Sequence, residues 1–321
     1  MQPDSRPSIV GFMLQSSHTA GVAAGIAAGA LWGLTFIAPM MAPDFGAIGI
    51  SIARYIAYGG LSLALLLLAR APLLALLRRH GGVLFVFAMT SSLLYFLLMI
   101  LAVQRIGAAL TALIIGCLPI TVPLTGAWRD AAQLRRIAPA LLLIAAGLVL
   151  IQKPALAGLA AWPDPVGLAC AIAALMSWNY YAIANSRYLA QHPDIPAGEW
   201  ASLTGLMTLI GLPLFVIALP FSNETLPPLA QTGAWIWLVV MALSTGIGSA
   251  WISAWLWNIA SRALPVALAG QLIVSETVFA LLYAFALERR LPQLHEAAAI
   301  LLVVGGVMLG LRRLRPATLP A

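Results

Sequence analysis

Charge is what this sequence has least of. Only 8% of its 321 residues are Asp, Glu, Lys or Arg, against 62% hydrophobic residues, and the mean hydropathy is +0.98. A soluble domain cannot be apolar on every face of every helix, so this composition excludes one. In lipid the pattern is required, because backbone groups must satisfy one another while side chains face hydrocarbon. Cysteine is almost missing. Cys117 and Cys170 both fall in apolar runs, which excludes a disulfide framework and leaves packing as their role. Long polar intervals are absent beyond roughly the first twenty residues, so no soluble catalytic domain fits. No GxxxxGK[ST] run occurs, which removes ATP as an energy source.

Long apolar runs, by contrast, are abundant. Ten of them read as spans, at 20–41, 47–69, 81–103, 106–127, 136–152, 165–187, 198–219, 232–258, 264–286 and 295–312. Each approaches the roughly 17–25 residues that cross about 30 Å of hydrocarbon. Residues 1–19 and 314–321 are read as cytoplasmic tails, the first lacking the apolar run and cleavage site of a signal peptide. The net charge of +7 comes from basic residues at helix ends, which form no nucleic-acid face and act as topology signals. Twelve of the seventeen (Arg6, Arg70, Arg78, Arg79, Arg129, Arg135, Arg136, Arg187, Arg262, Arg312, Arg313 and Arg315) fall on the side of the N-terminus. Arg105, Lys153, Arg289 and Arg290 fall opposite, and Arg54 lies within a span. That bias places both termini in the cytoplasm.

The halves before and after the Lys153–Asp164 connection resemble each other. Arg105-Ile-Gly-Ala-Ala-Leu matches Arg262-Ala-Leu-Pro-Val-Ala at an offset of 157, and Ala146-Gly147 meets Gly305-Gly306 at an offset of 159. Trp32 in the first span has a counterpart in Trp178 of the sixth. Five spans per copy is odd, so the second copy enters the membrane from the other side. Such inverted repeats are characteristic of secondary transporters, with the substrate site near the midplane between the copies. The expected architecture is all-α, ten transmembrane helices in two inverted five-helix repeats, 20–153 and 164–313.

Ala30-Leu31-Trp32-Gly33, Arg54, the run Ser275-Glu276-Thr277-Val278-Phe279-Ala280, Glu288-Arg289 and the Gly305-Gly306 helix occur in this order across ten spans. In this the chain resembles the drug/metabolite transporter superfamily, in particular its ten-helix exporters with two EamA-type repeats. Its density of aromatic residues looks most like the aromatic amino acid exporter branch of the YddG type. The family's usual Pro in the ninth span is replaced by Glu276, while the corresponding Pro is kept as Pro119. The resemblance implies export of small metabolites from the cytoplasm across the inner membrane.

Candidate site residues follow from polar and aromatic groups inside the spans. Glu276 is the acidic residue near the middle of a span, where a carboxylate costs roughly 2.5–3.5 kcal/mol, so it should face the interior. It is either a substrate-amine partner or protonatable coupling group, or a structural acceptor for freed backbone. Gln271 and Ser275 stand one turn apart on one face. Trp251, Trp255 and Asn258 form an i, i+4, i+7 stripe, Trp178, Tyr181 and Asn185 an i, i+3, i+7 stripe, and Ser91 and Tyr95 join Trp32 in the first half. Trp and Tyr offer flat contacts and attract ammonium groups, but also populate interfacial belts, where Trp235, Trp237 and Trp257 are placed. Arg54 can bind a substrate carboxylate; snorkelling to the interface is the favoured reading. Pro39, Pro119, Pro123, Gly246 and Gly248 are candidate hinges or static kinks. Gly306 and Gly310 form a GxxxG that permits close approach within one chain or between two, so a monomer or weak homodimer is expected.

Other classes fit worse. Gly246-Ile247-Gly248-Ser249 superficially matches a membrane serine protease, but His18, His80, His192 and His295 are all read as lying in loops or at helix ends, out of reach as a base. No metal or cofactor is expected. A channel would want like polar groups along one pore. A gradient-driven transporter of amphiphilic zwitterions such as amino acids is the reading, with a multidrug or nucleobase exporter as the alternative.

Overall fold

A computed structural model of the protein describes residues 9–126, 128–151, 164–222, 224–287 and 289–313. The two tails beyond these, the 152–163 connection with Lys153, and Glu288 lie outside the described residues. All described elements are helical. The first half holds α1 (Ile9–Met41), α2 (Ala47–Leu68), α3 (Leu73–Ala88), α4 (Leu94–Ile115), α5 (Leu118–Gly126) and α6 (Ala131–Ile151). The second holds α7 (Pro165–Gln191), α8 (Ala197–Gly211), α9 (Pro213–Ala218), α10 (Thr232–Leu243), α11 (Ser253–Ala263), α12 (Val266–Leu272), α13 (Val274–Leu287) and α14 (Leu294–Arg313). Two π-helical segments, Met89–Leu93 and Ser244–Ile252, join α3 to α4 and α10 to α11. Among the described residues seven helical stretches are long and apolar enough to cross a membrane. The side chains are distributed inside out: Leu68, Leu142 and Leu301 are exposed, while Ser62, Asn185, Thr208 and Gln271 are buried. Hydrocarbon outside and polar contacts inside is the arrangement a bilayer imposes.

Local chemistry sets the helix ends. Arg70 takes a left-handed conformation (φ 50°) and Pro72 follows, ending α2. Asp164 caps α7 by accepting from the Val166 and Gly167 amides, with Pro165 at the first helical position. Arg105 donates to the same carboxylate at 3.0 Å. That hydrogen bond, helped by the backbone amides, holds the Asp164 carboxyl below its ordinary range. Its contribution is therefore present at neutral pH and lost as pH falls through the folded-state value.

Three expected boundaries are corrected. α1 begins by Ile9 and α3 at Leu73, earlier than residues 20 and 81; in α3 the added residues, Leu73-Leu-Ala-Leu-Leu-Arg-Arg, are good helix formers and Pro72 is the stop before them. His18 and His80 therefore lie in helices and not in loops. Nor does a helix end separate 103 from 106: Leu94–Ile115 is one helix, and the break comes at Gly116–Cys117. In the second half Pro265 makes the corresponding break, where the first half carries Ala108.

Several helices of the first half pack on helices of the second. α2 packs on α8 and α6 on α14, each pairing elements that the expected repeat makes equivalent, and α5 packs on α12. α1 packs on α11 and α13, and its counterpart α7 packs on α4. The π segments overlap at the repeat offset, Ser92 corresponding to Ser249. Contacts near helix ends also segregate. Glu224 accepts from the Ile48 and Gly49 amides, and Arg105 meets Asp164. At the other end His80 meets Tyr188, Arg262 donates to the Pro193 and Ile195 carbonyls, and Arg313 to that of Arg136. Each contact joins segments that the charge count places on one side.

Candidate substrate cavity

Both π segments face a central cavity of about 80 Å³. A π turn leaves backbone groups out of register with their helical partners, and such turns recur at functional sites. Here the freed carbonyls are taken up from outside the helix: Ser177 Oγ donates to Thr90 at 3.0 Å and Tyr55 Oη to Ser92 at 3.3 Å. Beside the cavity, Thr35 of α1 and Ser249 share a hydroxyl hydrogen bond of 2.7 Å. α1, α2 and the first π segment with α4 supply one side of the wall, and their counterparts α7, α8 and the second π segment with α11 supply the other. The volume holds a few waters, whereas ligand sites usually span about 300–1,000 Å³.

Its aromatic side is continuous. The Trp32 and Trp178 rings meet edge to face at 5.6 Å, and Trp178 and Tyr181 at 5.9 Å. Tyr58 donates to the Ala201 carbonyl at 2.9 Å, tying α2 to α8. Tyr95 and Tyr181 also line the space, and no hydrogen bond joins their hydroxyls to a described residue. Arg54 is the charged residue among those lining the cavity, with Nε buried and unpartnered. The snorkelling expected of it is thus replaced: α2 turns this position inward, against the Gly246 backbone.

Trp32, Ser91, Tyr95, Trp178 and Tyr181 come together in the wall as the sequence suggests. Six other candidates do not line it. Asn185 accepts from Trp200 Nε1 at 2.8 Å and donates to Asn258 at 3.1 Å, in a buried network between α7, α8 and α11. Trp251 donates to Ser202 Oγ at 2.9 Å, and Trp255 beside it is exposed. Gln271 is fully buried against Gly310 of α14, and Ser275 is pressed on Gly29 of α1. Glu276 backs onto Gly33, within electrostatic range of Arg54 and Tyr95. The belt position expected of Trp257 is overturned: it is 1% exposed and packs on Trp32 and Trp178 at 5.5 and 5.9 Å. Two residues along, Trp255 takes the outward face instead.

Of the candidate hinges, Gly246 and Gly248 lie in the second π segment, and Pro119 and Pro123 are buried in α5, Pro123 against Gly270. The side chain of Pro39 is outside the described residues. Gly306 packs on Ala140 and Ile144 of α6, so this part of the GxxxG is used within the chain. Sequence reasoning missed Tyr58, Ser92, Thr204 and Ser249 in the wall; the register of Ser92 with Ser249 was the available signal for two of them.

Residues 165–312 match the model of the EamA-like transporter family. The inner membrane protein YtfF of Escherichia coli (strain K12) is 33% identical over 307 residues, covering 91% of this chain and 95% of that protein. The chain belongs to the EamA-like transporter family. This EamA-family chain is accordingly a membrane transporter of the drug/metabolite type. A solved crystal structure with 21% identity superimposes with a TM-score of 0.75, covering 92% of this chain and 98% of that one, and so shares its fold.

Proposed function

We propose that the protein is a secondary transporter of the inner membrane that exports small metabolites, chiefly aromatic and hydrophobic amino acids. Transport runs by alternating access through the central cavity, between two inverted five-helix repeats. One observation carries the reading: Trp32, Tyr95, Trp178 and Tyr181 wall a polar-floored cavity to which corresponding helices of both halves contribute. Flat aromatic surfaces accept apolar side chains, and the serine and threonine hydroxyls between them suit a zwitterionic head. The packing of α2 on α8 and of α6 on α14, the paired π segments and the segregated helix-end contacts support ten crossings with both termini on one side. The relative's description as an inner membrane protein supports the location.

Counterflow by the purified protein in liposomes, screened with twenty labelled amino acids, nucleobases and a cationic dye, tests this. Exchange of Phe and Trp is expected, and Trp178→Ala should lower it about tenfold, the effect of losing roughly 1.4 kcal/mol of ring contact. Exchange of a small amino acid should fall less. Movement of the dye or a nucleobase with no amino acid exchanged would replace this reading with the multidrug or nucleobase one.

A further inference from the structure

Arg54 is the group in the wall that the rest of the structure leaves unexplained. Its Nε is buried without a partner, and no hydrogen bond or salt bridge joins its guanidinium to a described residue. Glu276, whose carboxyl feels the Arg54 charge, is not in the wall, and no salt bridge connects the two. An unpartnered guanidinium at membrane depth is costly, and proteins retain one where an anion visits it. Its planar fork of donors matches a carboxylate in two-point geometry. The surroundings complete the match. Tyr95 has a free hydroxyl within electrostatic range of Arg54, and Ser91 and Ser92 present hydroxyls from the π segment. No acidic side chain lines the cavity among the described residues, so no carboxylate in the wall forms an ion pair with an ammonium group.

We infer that Arg54 holds the carboxylate of the transported molecule, so that the site selects small carboxylates with an aromatic or apolar tail and does not require an amino group. The inference rests on the cavity being the substrate site, as proposed above. The tail lies against Trp32, Trp178 and Tyr181, and the carboxylate completes the hydrogen bonding that Arg54 lacks. A primary amine with the same tail brings a second positive charge towards Arg54 and is rejected.

Competition against counterflow of labelled L-phenylalanine tests this on the wild-type protein. 3-Phenylpropanoate should compete within about threefold of unlabelled phenylalanine, while phenethylamine and L-phenylalaninamide should be at least about tenfold weaker, as expected for loss of one charge-assisted pair. Arg54→Gln, checked for folding by its thermal transition in detergent, should erase the distinction, and Arg54→Lys should keep part of it. Equal competition by phenethylamine and 3-phenylpropanoate would overturn the inference without touching the amino acid reading. Should no amino acid exchange at all, calorimetric binding of 3-phenylpropanoate decides: binding that depends on Arg54 upholds the inference while the amino acid reading falls, and no binding ends both.

Discussion

Trp178 and Asn185 lie two turns apart on α7, yet one borders the cavity and the other ties helices together. Asn185 bridges Trp200 and Asn258 in a site closed to solvent. Asn185→Ala would leave the Trp200 Nε1 donor and the Asn258 amide without that partner. A loss of about 1–3 kcal/mol is expected, read as a lower thermal transition of the detergent-solubilised protein, with substrate preference unchanged. A shift in preference without loss of stability would return Asn185 to the binding site. Spacing alone could not separate these roles, because an i, i+3, i+7 stripe defines a face without saying what the face meets. Trp255 and Trp257 show the same limit. Both are large and amphipathic near a helix end, and only the packing of α11 on α1 and α7 buries the second.

At the level of elements, the second π segment packs closely on α2. A Cβ at Gly246 would sit 2.6 Å from the Arg54 carbonyl oxygen and 2.7 Å from Ala57 Cβ, with backbone on one side and no flexible side chain to yield. Gly246→Ala should therefore cost about 1–3 kcal/mol through overpacking and reduce transport by displacing α2 at Arg54. Gly233→Ala, at a position with nothing within 4 Å, is the control and should leave both unchanged. Thermal transitions and counterflow rates of the two variants check this. A tolerated Gly246→Ala would show that the segment has room to shift, and would remove it from the candidate hinges. The glycines were visible in the sequence. The π winding was not, because it answers to side-chain hydrogen bonds such as Ser177 to Thr90 that come from distant helices.

At the scale of the whole molecule, the class was readable because bilayers impose simple rules: apolar length, short connections and basic residues at helix ends. The Arg105 and Arg262 segments suggest a relation between the halves, and the packing of α2 on α8 and α6 on α14 is what that relation would lead one to expect. Helix boundaries read less well: α3 begins at Leu73 directly after Pro72, well before the expected start at 81, and Leu94–Ile115 runs without a break between 103 and 106. Trp32, Tyr95, Trp178 and Tyr181 in the proposed wall were anticipated from aromatic content, and Ser91 with them. Ser92, Thr204 and Ser249 were not, since serine and threonine also satisfy their own helix backbone, as Thr208 does on Thr204. What the molecule has to do as a transporter is open its central cavity to each side in turn. Ser92→Cys, in a chain where Cys117 and Cys170 are replaced by Ala, puts one thiol in the cavity wall. Its reaction with a small membrane-impermeant thiol reagent should be measured in intact cells and in inverted vesicles, with and without phenylalanine. Modification from both sides, slowed by phenylalanine from each, is the expected result. Modification from one side alone under every condition, or from neither, would contradict alternating access through this cavity.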